Sequence, residues 1–390
     1  MKVLIVIYRD SERSGGSVRV AETLVRSLRM KDVSFDVVAA YGGAGRIAQL
    51  VGRRFHALGA KNRHDIGGWL RYRRLLRRLR PDIVHYIEPV VWMNAASIGM
   101  SSKRVLHQHS RPLFDVPNVS PPLAYRWLFG RADRVVAISH GVARHLAQLY
   151  TLDPGKIEVV HNAVDPAYLQ CRHVAPDGRR RLGMAVRVVP DKGVEDAFAL
   201  LDRLPRHFIL TIAGEGPARQ ALQNMAQARG LADRVEWLGS VNDIDRFYAV
   251  IDYYLFMSWY EGFGLSVAEA MLVGKPVVGL LGDGEIAEPE YPLVTSQNAA
   301  LVPRSNPKLF GNEPDAATFR TLASRILELE ADEAARQRMV ECGQRWTRQR
   351  FSPEIYGQRM YQALPEGDRR VMGLAPARTA SHERAGEWHA

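Results

Sequence analysis

Short runs of β-branched and aliphatic residues alternate along the chain with stretches in which apolar positions recur every three or four residues. Val3–Tyr8 is a run of the first kind. Ser17–Arg29 is of the second kind, with Val20, Leu24, Val25 and Leu28 on one face. Phe35–Ala39, Asp82–Tyr86, Arg104–His107 and Arg134–Ile138 read as further strands, and Trp69–Leu79 as a helix that stops at Arg80-Pro81. Apolar strands separated by helices imply a parallel sheet covered on both faces. The rhythm then restarts. Ala185–Val189, Phe208–Ala213, Val235–Leu238, Tyr253–Met257 and Val277–Leu280 are short apolar runs with helical segments between most of them. Between the two series, His161–Gly183 follows neither period and carries Pro166, Pro176, Gly178 and three consecutive arginines, so the linker is placed there.

The chain has 390 residues, a comfortable length for two hydrophobic cores. The pattern predicts an α/β protein of two doubly wound, Rossmann-like domains facing a cleft, over residues 1–165 and 166–350. The tail 366–390 mixes charge, Gly and Ala without a period and is expected to be disordered. A composition of 46% hydrophobic and 24% charged residues suits a folded protein and excludes fibrous classes. Cys171 and Cys342 supply neither a disulfide framework nor a zinc site. No run approaches the roughly 20 apolar residues that span a bilayer, and Val3–Tyr8 is too short for a signal-peptide core. Residence in the cytoplasm is expected.

Charge changes this picture in one respect. The net charge is +11, and between Arg46 and Arg80 eleven Lys or Arg residues face one acid, Asp65. Such an excess favours anionic partners. In Trp69–Arg80, Leu75, Leu76 and Leu79 with Trp69 and Tyr72 form an apolar stripe, and six arginines cover the rest. Two readings follow: a sheet-covering helix with a solvated basic face, or a peripheral contact with an anionic membrane.

The most informative segment is Met257-Ser-Trp-Tyr-Glu-Gly-Phe-Gly-Leu-Ser-Val-Ala-Glu-Ala-Met-Leu-Val-Gly-Lys-Pro276. A strand ends near Met257, the loop Glu261–Gly264 opens a helix, and that helix stops at Gly274. Gly262 and Gly264, flanking Phe263 and followed by Leu265, let the backbone approach a ligand. The free N–H groups and positive dipole end of the new helix favour an anion, and a diphosphate fits. Glu261 in the loop and Glu269 about one turn into the helix bracket that place. Carboxylates suit sugar hydroxyls, so one can hold a donor sugar and the other a ribose.

Other segments stand in a matching order. Val186-Arg-Val-Val-Pro-Asp-Lys-Gly193 carries Arg187 and Lys192. Ile212-Ala-Gly-Glu-Gly-Pro217 places Gly214 after a strand, and Val160-His-Asn-Ala-Val-Asp165 precedes the second half. Ser14-Gly-Gly-Ser17 sets Gly15 and Gly16 before a helix, and Arg104-Val-Leu-His-Gln-His109 ends in His109. Together these segments resemble the signature of family 4 glycosyltransferases, along the chain to about Leu364.

The resemblance implies a GT-B fold and a retaining hexosyl transfer from a nucleoside diphosphate sugar, UDP or GDP, to a glycan, glycolipid or small-molecule acceptor. No metal and no other cofactor are implied. Arg187 and Lys192 would stabilise the leaving diphosphate, Glu261 would hold the donor sugar and Glu269 the ribose. His109 would position groups at the reaction centre, Gly214 and Glu285 would belong to the donor side, and Gly15 and Gly16 to the acceptor side. It also implies a helix in 351–365 that packs back on the first domain. The chain departs from the family at three places. Val186 stands where a glycine usually precedes the arginine, and His161 where a proline is usual. Gly282-Asp-Gly-Glu-Ile-Ala-Glu288 replaces paired glycines and Pro-Glu, so Glu285 is matched by position only.

Competing classes make different demands. A GT-B sugar-nucleotide epimerase needs acid–base carboxylates at the sugar and no acceptor site. A dinucleotide dehydrogenase needs Gly-x-Gly-x-x-Gly after the first strand, which Ser14–Ser17 does not supply. A basic nucleic-acid-binding protein needs aromatic platforms or a recognition helix, and the arginine helix offers few aromatics. Asp243-Ile-Asp245 has the spacing of a metal-binding Asp-x-Asp, but it precedes a helical run, where capping explains it. His107 and His109 lack the further ligands zinc requires.

Overall fold

The computed structural model describes residues 1–10, 16–29, 33–43, 45–88, 90–109, 122–164, 174, 177–241, 243–282, 292–304 and 315–365. By its internal contacts the chain divides into two compact units. Met1–Ala163 together with the segment from Pro353 forms the first, and Val164–Ser352 the body of the second.

In the first unit the elements run β1 (Lys2–Arg9), α1 (Gly16–Arg29), β2 (Ser34–Tyr41), α2 (Arg46–Val51), β3 (Phe55–Ala57), α3 (Ile66–Leu79) and β4 (Ile83–Ile87). There follow α4 (Val91–Ala96), β5 (Lys103–Gln108), α5 (Pro122–Gly130), β6 (Arg134–Ala137), α6 (His140–Tyr150) and β7 (Ile157–Val159). The sheet order is β3-β2-β1-β4-β5-β6-β7, all parallel. Val3–Val6 and Val37–Ala40 are wholly buried, as parallel strands covered on both faces require. Helices α3, α4, α5 and α6 lie side by side, while α1 packs against α2. Helix α3 has Asp65 as its N-cap, accepting from Gly68 N–H, and turns Tyr72, Leu75 and Leu76 into the core.

The second unit runs β8 (Arg180–Ala185), α7 (Val194–Leu201), β9 (Phe208–Ala213), α8 (Arg219–Ala228), β10 (Val235–Gly239), α9 (Ile244–Val250) and β11 (Tyr253–Phe256). It continues through α10 (Leu265–Leu272), β12 (Val277–Leu281), β13 (Ala299–Pro303), α11 (Ala316–Ala331) and α12 (Glu333–Arg350). The parallel order is β10-β9-β8-β11-β12-β13. The last helix, α13 (Pro353–Ala363), belongs to the first unit. There Tyr356, Met360 and Ala363 join the core with Leu24 and Leu28 of α1, and Ser27 Oγ donates to Pro353 O at 3.3 Å.

Two doubly wound α/β units are therefore present, as the hydrophobic rhythm indicates. The opening strand of the second unit differs from the sequence reading. It runs over Arg180–Ala185, not Ala185–Val189, because charge at its start is satisfied within the fold. Arg180 pairs with Glu330 at 2.5 Å and Asp252 at 3.4 Å, and Arg181 with Asp177 at 2.7 Å and Glu236 at 3.3 Å. Asp243 is the N-cap of α9, accepting from Asp245 N–H at 3.3 Å. The short edge strands β3, β7 and β13 were also missed by pattern alone.

Candidate active site

Each sheet reverses its winding once, between β1 and β4 in the first unit and between β8 and β11 in the second. In open α/β sheets ligands bind outside the carboxyl ends of strands at such a reversal. In the second unit, the segments that follow the two flanking strands are residues 186–193 and 257–264, where Arg187, Lys192 and Glu261 lie.

These two segments are tied together. Lys192 Nζ donates to Glu261 Oε2 at 2.8 Å and to Tyr260 O at 3.3 Å, and Trp259 N–H donates to Asp191 O at 2.9 Å. Gly193, at φ +67°, ends the short turn Pro190–Lys192, and a Cβ there would overlap the carbonyl oxygen of Met257. Only glycine permits so close a crossing. Arg187 is exposed and has no side-chain partner among the described residues. Gly214, at φ +138°, is demanded by the chain itself, since a Cβ would overlap Val186 O. It seats the loop that carries Arg187.

Gly264, at φ +80°, occupies the N-cap position of α10 without a side-chain cap, so the helix opens on bare N–H groups. Leu265 is the first residue of that helix. Gly262 does not adopt a left-handed conformation. Phe263 is buried and meets Phe351 edge-on at 5.2 Å, which anchors the loop from below. Glu269 is buried in α10, and Tyr248 Oη donates to its Oε2 at 3.0 Å. Glu285 lies outside the described residues.

Arg304, at the end of β13, was not anticipated. It is buried, pairs with Asp196 at 2.8 Å, donates to Met257 O at 2.6 Å and stacks over Trp259 at 4.0 Å. Asp196 faces it from α7. Arg304 thus braces the start of the 257–264 loop. No motif marks it, and the short run Ala299–Pro303 that precedes it, with Val302 as its one β-branched residue, gives little sign of a strand.

In the first unit, Gly15 lies outside the described residues, and Gly16 opens α1. His109 follows β5, above a column of imidazoles. The His107 ring lies 4.1 Å from that of His109, and His85 Nε2 is 3.4 Å from His107 Nδ1. His85 and His107 are fully buried. His109 is partly exposed, yet both its ring nitrogens are shielded and lack a partner among the described residues. Burial holds His85 at about 3 and His109 at about 4, and burial with the neighbouring imidazoles holds His107 well below its usual value. His109 is therefore neutral at pH 7 and fit to donate or accept one hydrogen bond. Nearby, Glu88 follows β4 at φ +69° and donates its N–H to His107 O at 3.2 Å. A residue with a Cβ in that region costs about 1–2 kcal/mol, and the sequence reading passed over it.

The histidine column carries a pH prediction. All three folded-state values lie below the unfolded one, near 6.5, so the unfolded chain binds protons that the folded chain refuses. Stability is present in full above pH 6.5 and is lost as pH falls from there toward 4. Each histidine contributes about 1.4 kcal/mol per pH unit inside that window. Thermal midpoints across this range should fall steeply, and more gently in His107→Gln. Parallel slopes for the two proteins would refute the assignment.

The described residues contain no cluster of three or more His, Cys, Asp or Glu side chains able to hold a metal ion, and no helix long and apolar enough to cross a membrane.

Comparison with known proteins gives a consistent answer. The profile of Glycosyltransferase Family 4 matches residues 14–168, and that of Glycosyl transferases group 1 matches residues 170–311. A 2-deoxystreptamine N-acetyl-D-glucosaminyltransferase of Streptomyces fradiae is 26% identical over 53% of this chain, a match that spans only 56% of that relative. The lipopolysaccharide core biosynthesis glycosyltransferase LpsE of Rhizobium meliloti is 26% identical over 76% of this chain and 79% of its own. Among solved structures, HepE of Anabaena in complex with UDP and glucose superposes with a TM-score of 0.74. It is 20% identical and covers 93% of this chain and 98% of that one, a likeness of fold.

Proposed function

This chain belongs to the family 4 glycosyltransferases of the GT-B fold, and we propose on that premise that it transfers a hexose from a nucleoside diphosphate sugar with retention of configuration. The observation that carries the reading is the 2.8 Å pair between Lys192 and Glu261, which joins the strand ends on either side of the winding reversal in the second unit. An ammonium has three N–H donors. Glu261 and Tyr260 O take two, and the third is available to an anion.

In this reading the diphosphate sits against the open N-terminus of α10, with Arg187 and Lys192 as its fixed cations. Negative charge grows on the diphosphate as the glycosidic bond breaks, so these groups bind the transition state more strongly than the ground state. Glu261 accepts from hydroxyls of the donor sugar, and Glu269, oriented by Tyr248, from the ribose. The acceptor hydroxyl attacks on the face from which the diphosphate departs, and a phosphate oxygen takes its proton. His109, being neutral, positions polar groups of the sugars and does not act as the base. Gly16, at the head of α1, belongs to the acceptor side. No metal is required in this scheme, because two cations are already placed on the leaving group.

The acceptor is a glycan, a glycolipid or a polyhydroxylated small molecule, the range that the names of the relatives suggest. An enzyme of this kind would work in the cytoplasm.

Thermal unfolding with UDP, GDP, ADP or CMP tests the donor site. A ligand at 100 times its dissociation constant adds about 2.7 kcal/mol, which raises the midpoint of a unit of this size by several degrees. One diphosphate should do so selectively, with or without chelator. No shift with any of the four would overturn the reading.

A further inference from the structure

We infer that α3, α4 and α5 of the first unit together form a docking face for an anionic membrane surface. Three observations converge on it. The first is apolar exposure. Of the ten large hydrophobic residues exposed among the described ones, five lie on these helices or the turn after α4: Ile66, Leu70, Ile98, Leu123 and Trp127. Isolated exposed apolar residues are ordinary, but a grouping on adjacent elements marks an interaction surface.

The second is charge. None of the three helices contains an aspartate or glutamate. Arg71 and Arg73 are committed within the protein, Arg71 to Leu58 O and Asp65 and Arg73 to Ala96 O. By contrast Arg74, Arg77 and Arg78 of α3 and Arg126 of α5 are exposed, with no hydrogen bond or ion pair among the described residues.

The third is register. Ile66, Leu70, Arg74 and Arg77 fall at i, i+4, i+8 and i+11, one outward ridge along α3. Leu123, Arg126 and Trp127 form the matching ridge of α5, with Arg131 stacked on Trp127 at 4.7 Å. Helix α3 alone could not do this, because Tyr72, Leu75 and Leu76 are already spent on the core. Helix α3 keeps only Ile66 and Leu70 for the apolar part of the face, and its neighbours add Ile98, Leu123 and Trp127.

Arginine without acid suits phosphate headgroups, and it would suit a nucleic acid equally. The exposed Leu and Ile side chains decide between them. They gain nothing on a polynucleotide backbone but are favourably placed at the boundary between headgroups and acyl chains, where Trp also concentrates. The inference does not depend on which sugar is transferred or on whether transfer occurs.

Flotation of the full chain tests it, using phosphatidylcholine vesicles with about one third phosphatidylglycerol at about 0.15 M salt. The protein should float with these vesicles and stay at the bottom with phosphatidylcholine alone. The triple variant R74E/R77E/R78E should lose at least roughly 100-fold in partitioning, and Leu123→Ser with Trp127→Ser should weaken it further. Because every substituted side chain is exposed, the variants should keep the parent's unfolding midpoint. A protein that ignores anionic vesicles overturns the inference, as does a triple variant that floats like the parent. Tight binding of a random single-stranded oligonucleotide, lost in the triple variant while vesicles remain unbound, would assign the face to nucleic acid instead.

Discussion

Replacing Lys192 with alanine should lower the transfer rate by about two to three orders of magnitude while costing the fold about 1 kcal/mol at most. The two halves of that expectation have separate grounds. The pair with Glu261 is partly exposed, at 19% and 28% of the two side chains, and ion pairs of that kind are worth about 0–1 kcal/mol. Its removal should move the midpoint by no more than about 2–4 °C. The catalytic half rests on the growth of charge on the leaving diphosphate. Removing one donor fixed in place for such charge costs about 10²–10³ in rate. Glu261→Gln should also be slow, but for a different reason: the amide can still accept from Lys192 while losing the carboxylate that holds sugar hydroxyls. Rates at saturating donor check both. Near-normal rates in both variants would remove these residues from the mechanism.

The largest stability effect is expected at Arg304, which lies outside every motif. Its guanidinium is 1% exposed, and its partner Asp196 is 8% exposed. Removing one member of a buried pair strands the other and costs about 3–5 kcal/mol, so Arg304→Met should lower the midpoint of the second unit by roughly 10 °C. Adding Asp196→Asn should recover part of that loss, because the stranded charge is then gone. Arg304 also donates to Met257 O and stacks on Trp259. The single variant should therefore bind the nucleoside diphosphate more weakly even at temperatures where it is folded. A melting curve like that of the parent would show the pair to be dispensable.

What the sequence revealed and what it hid follow the range over which each feature is determined. The strand–loop–helix around Glu261 was legible because strand, glycine loop and helix are all local. The buried strands β1 and β9 were legible because both faces are covered and the apolar run is unbroken. Strand β8 was displaced in the reading since Arg180 and Arg181 look like linker residues until Asp252, Glu330 and Glu236 arrive from distant positions. Distance in sequence also concealed the pairing of Lys192 with Glu261 and the brace at Arg304. Gly214 was read as a donor-side residue in a turn after a strand, and the close approach of Val186 O that also demands a glycine there could not be seen from the sequence. The histidine column shows the same limit. One imidazole at a strand end is visible as a residue type, but its neutrality comes from burial, and that is not written locally.

The return of α13 to the first unit has a consequence for how the protein is made. Tyr356, Met360 and Ala363 complete the packing of α1, yet residues 164–352 of the other unit must leave the ribosome first. At about 5–20 residues per second the berth on α1 stays bare for roughly 10–40 s of every synthesis. Translation speed and chaperone supply thus become part of what decides the yield of native protein, while the second unit, continuous in sequence, can fold as it emerges.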